Sequence, residues 1–293
     1  MEEVRCLFCN EEHPLFWQEN GYVGRKCPLY GLIYMSPRPD EREMALLYNI
    51  ERSGGESFAE HTAHNLTKLL ITEYSLVIMK KFKTKGELLE IGPGGGHLLL
   101  TAKRHGFNPY AVEINEKLVH YICNQLGIDA VNVSASNLNY FASKRFDIIY
   151  SRQVLSHLHD PIGTLRILNN RLKQDGILVF ETGNFGSIER FWLKFIGELG
   201  YPEHLYLFSI ESIKQLFNLT NFELKAYYFH SNAIYYLIST ILQKFKRTSN
   251  YTNLKNNRVS QFKKFKDYIN YFLVYRLGRI LPESWPATII YVA

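Results

Sequence analysis

The stretch ELLEIGPGGGHLLLTAKRHGF, Glu87–Phe107, places four glycines and one proline at five consecutive positions, 92 to 96. An apolar run, 88–91, precedes them, and an apolar-periodic run begins at His97. A chain turns this sharply from strand to helix when its backbone takes positive φ, which glycine does at least cost. Glycine also has no Cβ to block a ligand. The helix that follows would aim its unpaired N–H groups and positive dipole end at the loop, which favours a carboxylate or phosphate there.

The surrounding sequence alternates in kind. Short apolar runs at Glu87–Ile91, Tyr110–Glu113, Ala130–Val133, Asp147–Tyr150, Gly176–Glu181 and Phe222–Phe229 read as strands. Helix-spaced patterns lie between them, in HLLLTAKRHG, NEKLVHYICNQLG and PIGTLRILNNRLKQDG. Gly106, Gly127 and Gly176 sit where left-handed helix caps are expected. Strand–helix–strand units of this length predict an α/β fold, with a doubly wound, mainly parallel sheet. Ligands of such sheets bind beyond the carboxyl ends of the strands, where the glycine loop falls. Residues 1–40 read as a small cysteine-containing segment and 41–84 as a helical lead-in that Asp40 caps. Residues 85–293 read as the main domain, with a helical insertion at about 230–284.

Two familiar loops do not fit. The dinucleotide pattern G-x-G-x-x-G fails because its third glycine position is His97, and the P-loop fails because no Lys-Ser/Thr follows. The spacing that does fit is Glu90-x-Gly92-x-Gly94-x-Gly96. A second acid, Glu113, ends the next strand near the offset at which an acid binds ribose hydroxyls.

At these residues the chain resembles the class I S-adenosylmethionine-dependent methyltransferases, which carry an acidic-x-G-x-G-x-G motif after the first strand and an acid after the second. FDIIYSRQVLSHLHDP resembles their fourth strand and its loop, and LKQDGILVFETGN their next helix–turn–strand. EHLYLFSIESIKQLFNLTNFELK resembles a further helix and strand, and ATIIYVA the closing antiparallel strand. The resemblance implies a seven-stranded Rossmann-like methyltransferase fold that binds S-adenosylmethionine. It implies that Gly92, Gly94 and Gly96 line the methionine part, that Glu90 meets the amino group and that Glu113 takes the ribose. Ser134 and Ala135 would flank the adenine, although many members have Asp where Ser134 stands. Ser151 and Arg152 would close over the cofactor.

Methyl transfer from a sulfonium asks the protein mainly to position an acceptor and to take up one proton. His204 and His157 are the candidate bases, with His204 ahead. His159, beside Asp160-Pro161, reads as a helix start. Glu181 and Asn184 are candidates for substrate contact. Relatives often read L-E-H where this chain has Ser156 before His157, which removes any step that needs that Glu. The expected acceptor is a small molecule, such as a quinone, sugar or natural-product intermediate, methylated on oxygen or carbon. Two alternatives stay open: a nucleic-acid methyltransferase, and a cofactor-binding protein without turnover. Against the first, YSRQ stands where amino-methylating families carry D/N-P-P-F/Y/W.

Cys6-x-x-Cys9 followed by Cys27 resembles a small cysteine ribbon found ahead of many such methyltransferases. The fourth ligand position holds Tyr30, with His13 as a candidate substitute. A structural zinc wants four ligands, so the segment reads either as a zinc site completed by His13 or as a decayed ribbon held by its apolar residues. Cys123 falls in a helix pattern and reads as an apolar core residue.

Lys244–Arg279 carries ten Lys/Arg against Asp267 alone. This +9 exceeds the chain's +6 and leaves −3 elsewhere. Its aromatic, basic helices read as cover over the substrate pocket, as a face for an anionic membrane surface or lipid-linked substrate, or as a nucleic-acid face, which no RNA-binding motif supports. No apolar run reaches membrane-spanning length and MEEVRCLFCNEEH has no leader-like core, so the expected compartment is the cytoplasm.

Overall fold

The computed structural model describes residues 1–44, 46, 55–62, 66–234, 236–238 and 268–293. In chain order its strands are β1 (Leu15–Glu19), β2 (Tyr22–Lys26), β3 (Ile33–Met35), β4 (Gly86–Ile91), β5 (Phe107–Glu113), β6 (Asp129–Asn132), β7 (Phe146–Arg152), β8 (Leu172–Gly183), β9 (Tyr206–Leu207), β10 (Ala226–Ser231) and β11 (Ala287–Val292). Seven of them form one sheet in the order β10-β11-β8-β7-β4-β5-β6. β6, β5, β4, β7 and β8 run parallel, and β11 is antiparallel to both its neighbours. The strand order reverses at β4, so the crevice beyond β4 and β7 is the topological switch point.

Strands buried on both faces read as unbroken apolar runs, and this sheet shows why. Leu88, Ala111, Ile148 and Val179 join the core beneath helices Leu66–Met79 and His97–Arg104. Their strand neighbours Leu89, Val112, Ile149 and Phe180 join the opposite core, beneath helices Pro161–Asn169 and Ile210–Thr220. That second core continues into the N-terminal segment through Cys6, Cys27, Leu32, Ile33, Tyr34 and Met35.

The N-terminal segment is a four-stranded antiparallel sheet, β1-β2-β3-β9. β1 and β2 close through Asn20 and Gly21, both at positive φ, as a two-residue hairpin requires. The fourth strand comes from the far side of the chain: Ile33 pairs with Leu207 and Tyr34 with Tyr206. Asp40 caps the helical residues 41–44, accepting from the N–H groups of Arg42 and Glu43, and Glu43 returns the bond to Asp40 N.

Three expectations differ from the fold. Gly106 and Gly127 take left-handed φ after their helices, but Gly176 lies inside β8. The helix before it stops at Asn169, and Leu172 already pairs with Phe146. A Cβ at Gly176 would come within 2.8 Å of the Phe146 carbonyl oxygen, so the glycine serves strand contact there. The sixth strand starts at Ala226 and leaves 222–225 outside it. Cys123 is half-buried rather than core, and its thiol donates to Ala130 O.

Of the C-terminal insertion, residues 239–267 lie outside the described residues, and with them most of the basic segment. The described helix 268–275 returns to the sheet edge. Tyr275 stacks on His230 of β10 at 4.5 Å and meets Tyr74 at 4.9 Å. Among the described residues no helix is long and apolar enough to cross a membrane.

Candidate functional site

β4 ends at Ile91 and helix His97–Arg104 starts after five intervening residues, 92–96, so the glycine loop crosses the switch point. Gly92, Gly94 and Gly96 take φ of 67°, 54° and 71°. Gly95 has no such φ and is constrained differently. A Cβ there would overlap the carbonyl oxygen of His61, at the end of helix Gly55–Thr62. The lead-in therefore packs directly onto the loop.

Glu113 braces the same loop from β5. It is buried, its Oε2 accepts from Gly94 N at 3.2 Å, and its Oε1 accepts from Asn115 N at 3.0 Å. Glu90, on β4, is also buried, and its Oε2 has no partner among the described residues. Burial first, and the charge of Glu113 second, push the Glu90 carboxyl up to about 8. An unpartnered carboxyl oxygen beside a glycine cradle is a fitting seat for a ligand ammonium.

These groups open on a cavity of about 720 Å³. Of the residues expected at the site, Glu90, Gly92, Gly94, Glu113, Ser134, Ala135, Arg152 and His157 line it. Gly96, Ser151 and His204 do not. Gly96 caps the helix and packs near Leu126 and Ile122. Ser151 is a buried strand residue in register with Ile91. The Ser134 hydroxyl is shared with Ser136 at 2.9 Å, within its own turn.

The two histidines are placed unequally. His157 is in the cavity wall, and its Nδ1 lies 2.8 Å from Glu203 O. A carbonyl oxygen only accepts, so Nδ1 carries the proton and Nε2 is the acceptor nitrogen of the neutral ring. His204 stands behind it, with ring centroids 4.9 Å apart and Nδ1 2.6 Å from Leu199 O. His159 also lines the cavity, while its Nε2 reaches Pro39 O at 3.1 Å.

Glu181 is an anchor beneath the cavity. It is buried, and its Oε1 accepts from Tyr150 OH at 2.7 Å and from the Ser75 hydroxyl. Its Oε2 holds Arg152 Nε at 3.2 Å. Asn184 is buried and its amide donates to Glu283 O. Sequence reading missed His61, Lys68, Thr72 and His97, which also line the cavity. His61, Lys68 and Thr72 sit on lead-in helices that no local motif marks, and His97 begins the helix that leaves the loop.

In the N-terminal segment the donor atoms of Cys6, Cys9, His13 and Cys27 lie within 4.8 Å of one another. All four cysteines of the chain are free thiols, and burial pushes that of Cys6 up to about 12. In space, His13 stands where a fourth ligand to these thiols could come from. Tyr30, at the position where it was expected, packs its ring on Phe8.

The sequence matches a family model described as a methyltransferase domain over residues 58–227. It is 28% identical over 125 residues to a ubiquinone biosynthesis O-methyltransferase of Cereibacter sphaeroides, a match covering 41% of this chain and 50% of that protein. The chain thus spans about half the length of that curated relative. The fold superposes on the crystal structure of the [4+2]-cyclase SpnF with a TM-score of 0.57, at 15% identity, over 87% of this chain and 96% of that one. At that identity the likeness is one of fold.

Proposed function

This chain belongs to the methyltransferase-domain family, the class I S-adenosylmethionine-dependent methyltransferases, and from that premise we propose that it methylates a small-molecule acceptor. The observation that carries the acceptor class is the cavity: one space of about 720 Å³, in the range of about 300–1,000 Å³ usual for small-molecule sites, would house the cofactor along the glycine loop and leaves His157 in its wall for a small acceptor beside it. The O-methyltransferase relative favours an oxygen acceptor such as a quinol or phenol.

The residues divide the work by strand. Glu90 on β4, with Gly92 and Gly94 in the loop after it, would hold the methionine portion, Glu113 on β5 the ribose, and Ser134 and Ala135 after β6 the adenine. S-adenosylmethionine, when bound, supplies an electrophilic methyl group on a sulfonium. His157 orients the acceptor hydroxyl and takes its proton at Nε2, with Nδ1–H held by Glu203 O. His204 is a positioning residue packed against that ring.

The reading is tested by following S-adenosylhomocysteine formation across phenols, quinols and sugars. Acceptor-dependent turnover supports it, and the His157→Gln variant should lower kcat by about 100-fold, as loss of a general base does. Its cofactor affinity should stay within about twofold. Cofactor binding without turnover on any acceptor would favour the non-catalytic reading, and turnover on RNA or DNA the nucleic-acid one.

Glu90 gives a pH signature. With its carboxyl near 8 it is mostly protonated at neutral pH, and an ammonium seated on it draws out the carboxylate. Cofactor binding at about pH 6.5–7, below the ligand's own amine titration, should release close to one proton. Affinity should therefore rise with pH across that range. Calorimetry in buffers of different ionisation enthalpy should detect the release in the wild type and lose it in Glu90→Gln.

A further inference from the structure

We propose that Cys6, Cys9, His13 and Cys27 hold a single zinc ion, and that the sheet it closes clamps the acceptor-side loop 197–209 without serving the cofactor site. The ligand set is Cys₃His. Zinc–sulfur bonds of about 2.3 Å and zinc–nitrogen bonds of about 2.0–2.1 Å set tetrahedral ligand atoms roughly 3.6–3.8 Å apart. Cys9 Sγ lies 3.9 Å from Cys27 Sγ and 3.2 Å from His13 Nε2. Cys6, Cys27 and His13 are buried, and Tyr34 OH and Arg25 fix the His13 backbone.

The loop is tied chiefly to this sheet. Glu19 takes the N–H groups of both Leu199 and Tyr201 at 2.6 Å, and Asn20 donates to Tyr201 O. Met35 N donates to Leu205 O, β9 completes the sheet, and Arg38 holds Tyr206 OH at 2.8 Å. Tyr30 O accepts from Ser209 Oγ. The loop in turn supplies Glu203 O to His157, and its Leu205 N donates to Ser156 O. Among the described residues, the glycine loop and Glu113 bond to one another and to Val112, Asn115 and Asn132, which lie outside the cysteine segment. Metal loss should therefore loosen the base side of the cavity and spare the cofactor side.

Only the term acceptor-side rests on the proposed function, because the zinc and exchange measurements need no acceptor. The full chain is analysed for metal by mass spectrometry, and hydrogen exchange is followed with and without 1,10-phenanthroline. The expected result is one zinc per chain. Its removal should speed exchange in 197–209 by about tenfold or more while leaving 86–115 unchanged, and added zinc should reverse the effect. Affinity for S-adenosylhomocysteine should stay within about twofold. His13→Ala should lose zinc and His13→Cys should keep it. Absence of zinc after refolding with it, unchanged exchange in 197–209 on removal, or loss of protection in 86–115 as well would each overturn the proposal. Failure of the intact, zinc-loaded protein to bind S-adenosylhomocysteine would instead overturn the functional reading and leave the clamp standing.

Discussion

Replacing Arg152 with methionine is expected to destabilise the fold by about 3 kcal/mol, the low end for removing one partner of a buried ion pair. The low end applies because the Arg152 side chain is 38% exposed, so solvent screens part of its charge, whereas that of Glu181 is fully buried. Without Arg152, the carboxylate keeps, among the described residues, the Tyr150 and Ser75 hydroxyls. Methionine fills similar space, which isolates the charge from the packing. A double variant, Arg152→Met with Glu181→Gln, should regain most of the loss, because a glutamine oxygen still accepts from both hydroxyls. Urea unfolding of the two variants decides it. Equal destabilisation in both would mean that packing, and not the stranded charge, sets the cost.

Replacing Glu113 with alanine should have the largest effect on cofactor binding. The carboxylate has two uses in this fold. It holds Gly94 N and Asn115 N, and so shapes the cradle, and it faces the cavity where ribose hydroxyls would donate to it. Hydrogen bonds to a charged group contribute about 1.5–3 kcal/mol each, so losing even one weakens binding roughly 10- to 150-fold. Glu113→Gln retains one acceptor oxygen and should fall between. Alanine without effect would place the ribose elsewhere.

The parts of the fold that were legible are those whose cause is local. Parallel strands buried on both faces announce themselves as apolar runs, and so β4, β5, β6 and β7 could be read with their glycine loop and trailing acid. β8 was misread at its start because Leu172–Asp175 is polar and exposed enough to continue a helix pattern. Only the pairing of Leu172 with Phe146 makes it a strand. The Asn20-Gly21 hairpin signal was present in the sequence and was passed over. The pairing of β3 with β9 had no local signal, since it joins positions some 170 residues apart.

The site shows the same division. Glu90, Gly92, Gly94 and Glu113 share a cavity because one strand–loop–strand unit carries them. The order of the two histidines could not be read, because a backbone carbonyl from a distant loop fixes His157 and puts His204 behind it. His13, seven residues from Cys6 and four from Cys9, could be named as a substitute ligand although it lies outside the usual ribbon spacing, and the fold brings its ring to the thiols.

The measurement to make first is a calorimetric titration of S-adenosylhomocysteine into the wild-type chain and into Glu113→Ala at neutral pH. A class I methyltransferase site predicts saturable binding at one site per chain, weakened sharply in the variant. No heat and no shift in melting temperature with the folded wild type, alongside binding of a nicotinamide dinucleotide, would contradict it. The glycine loop would then be a cradle for a different ligand.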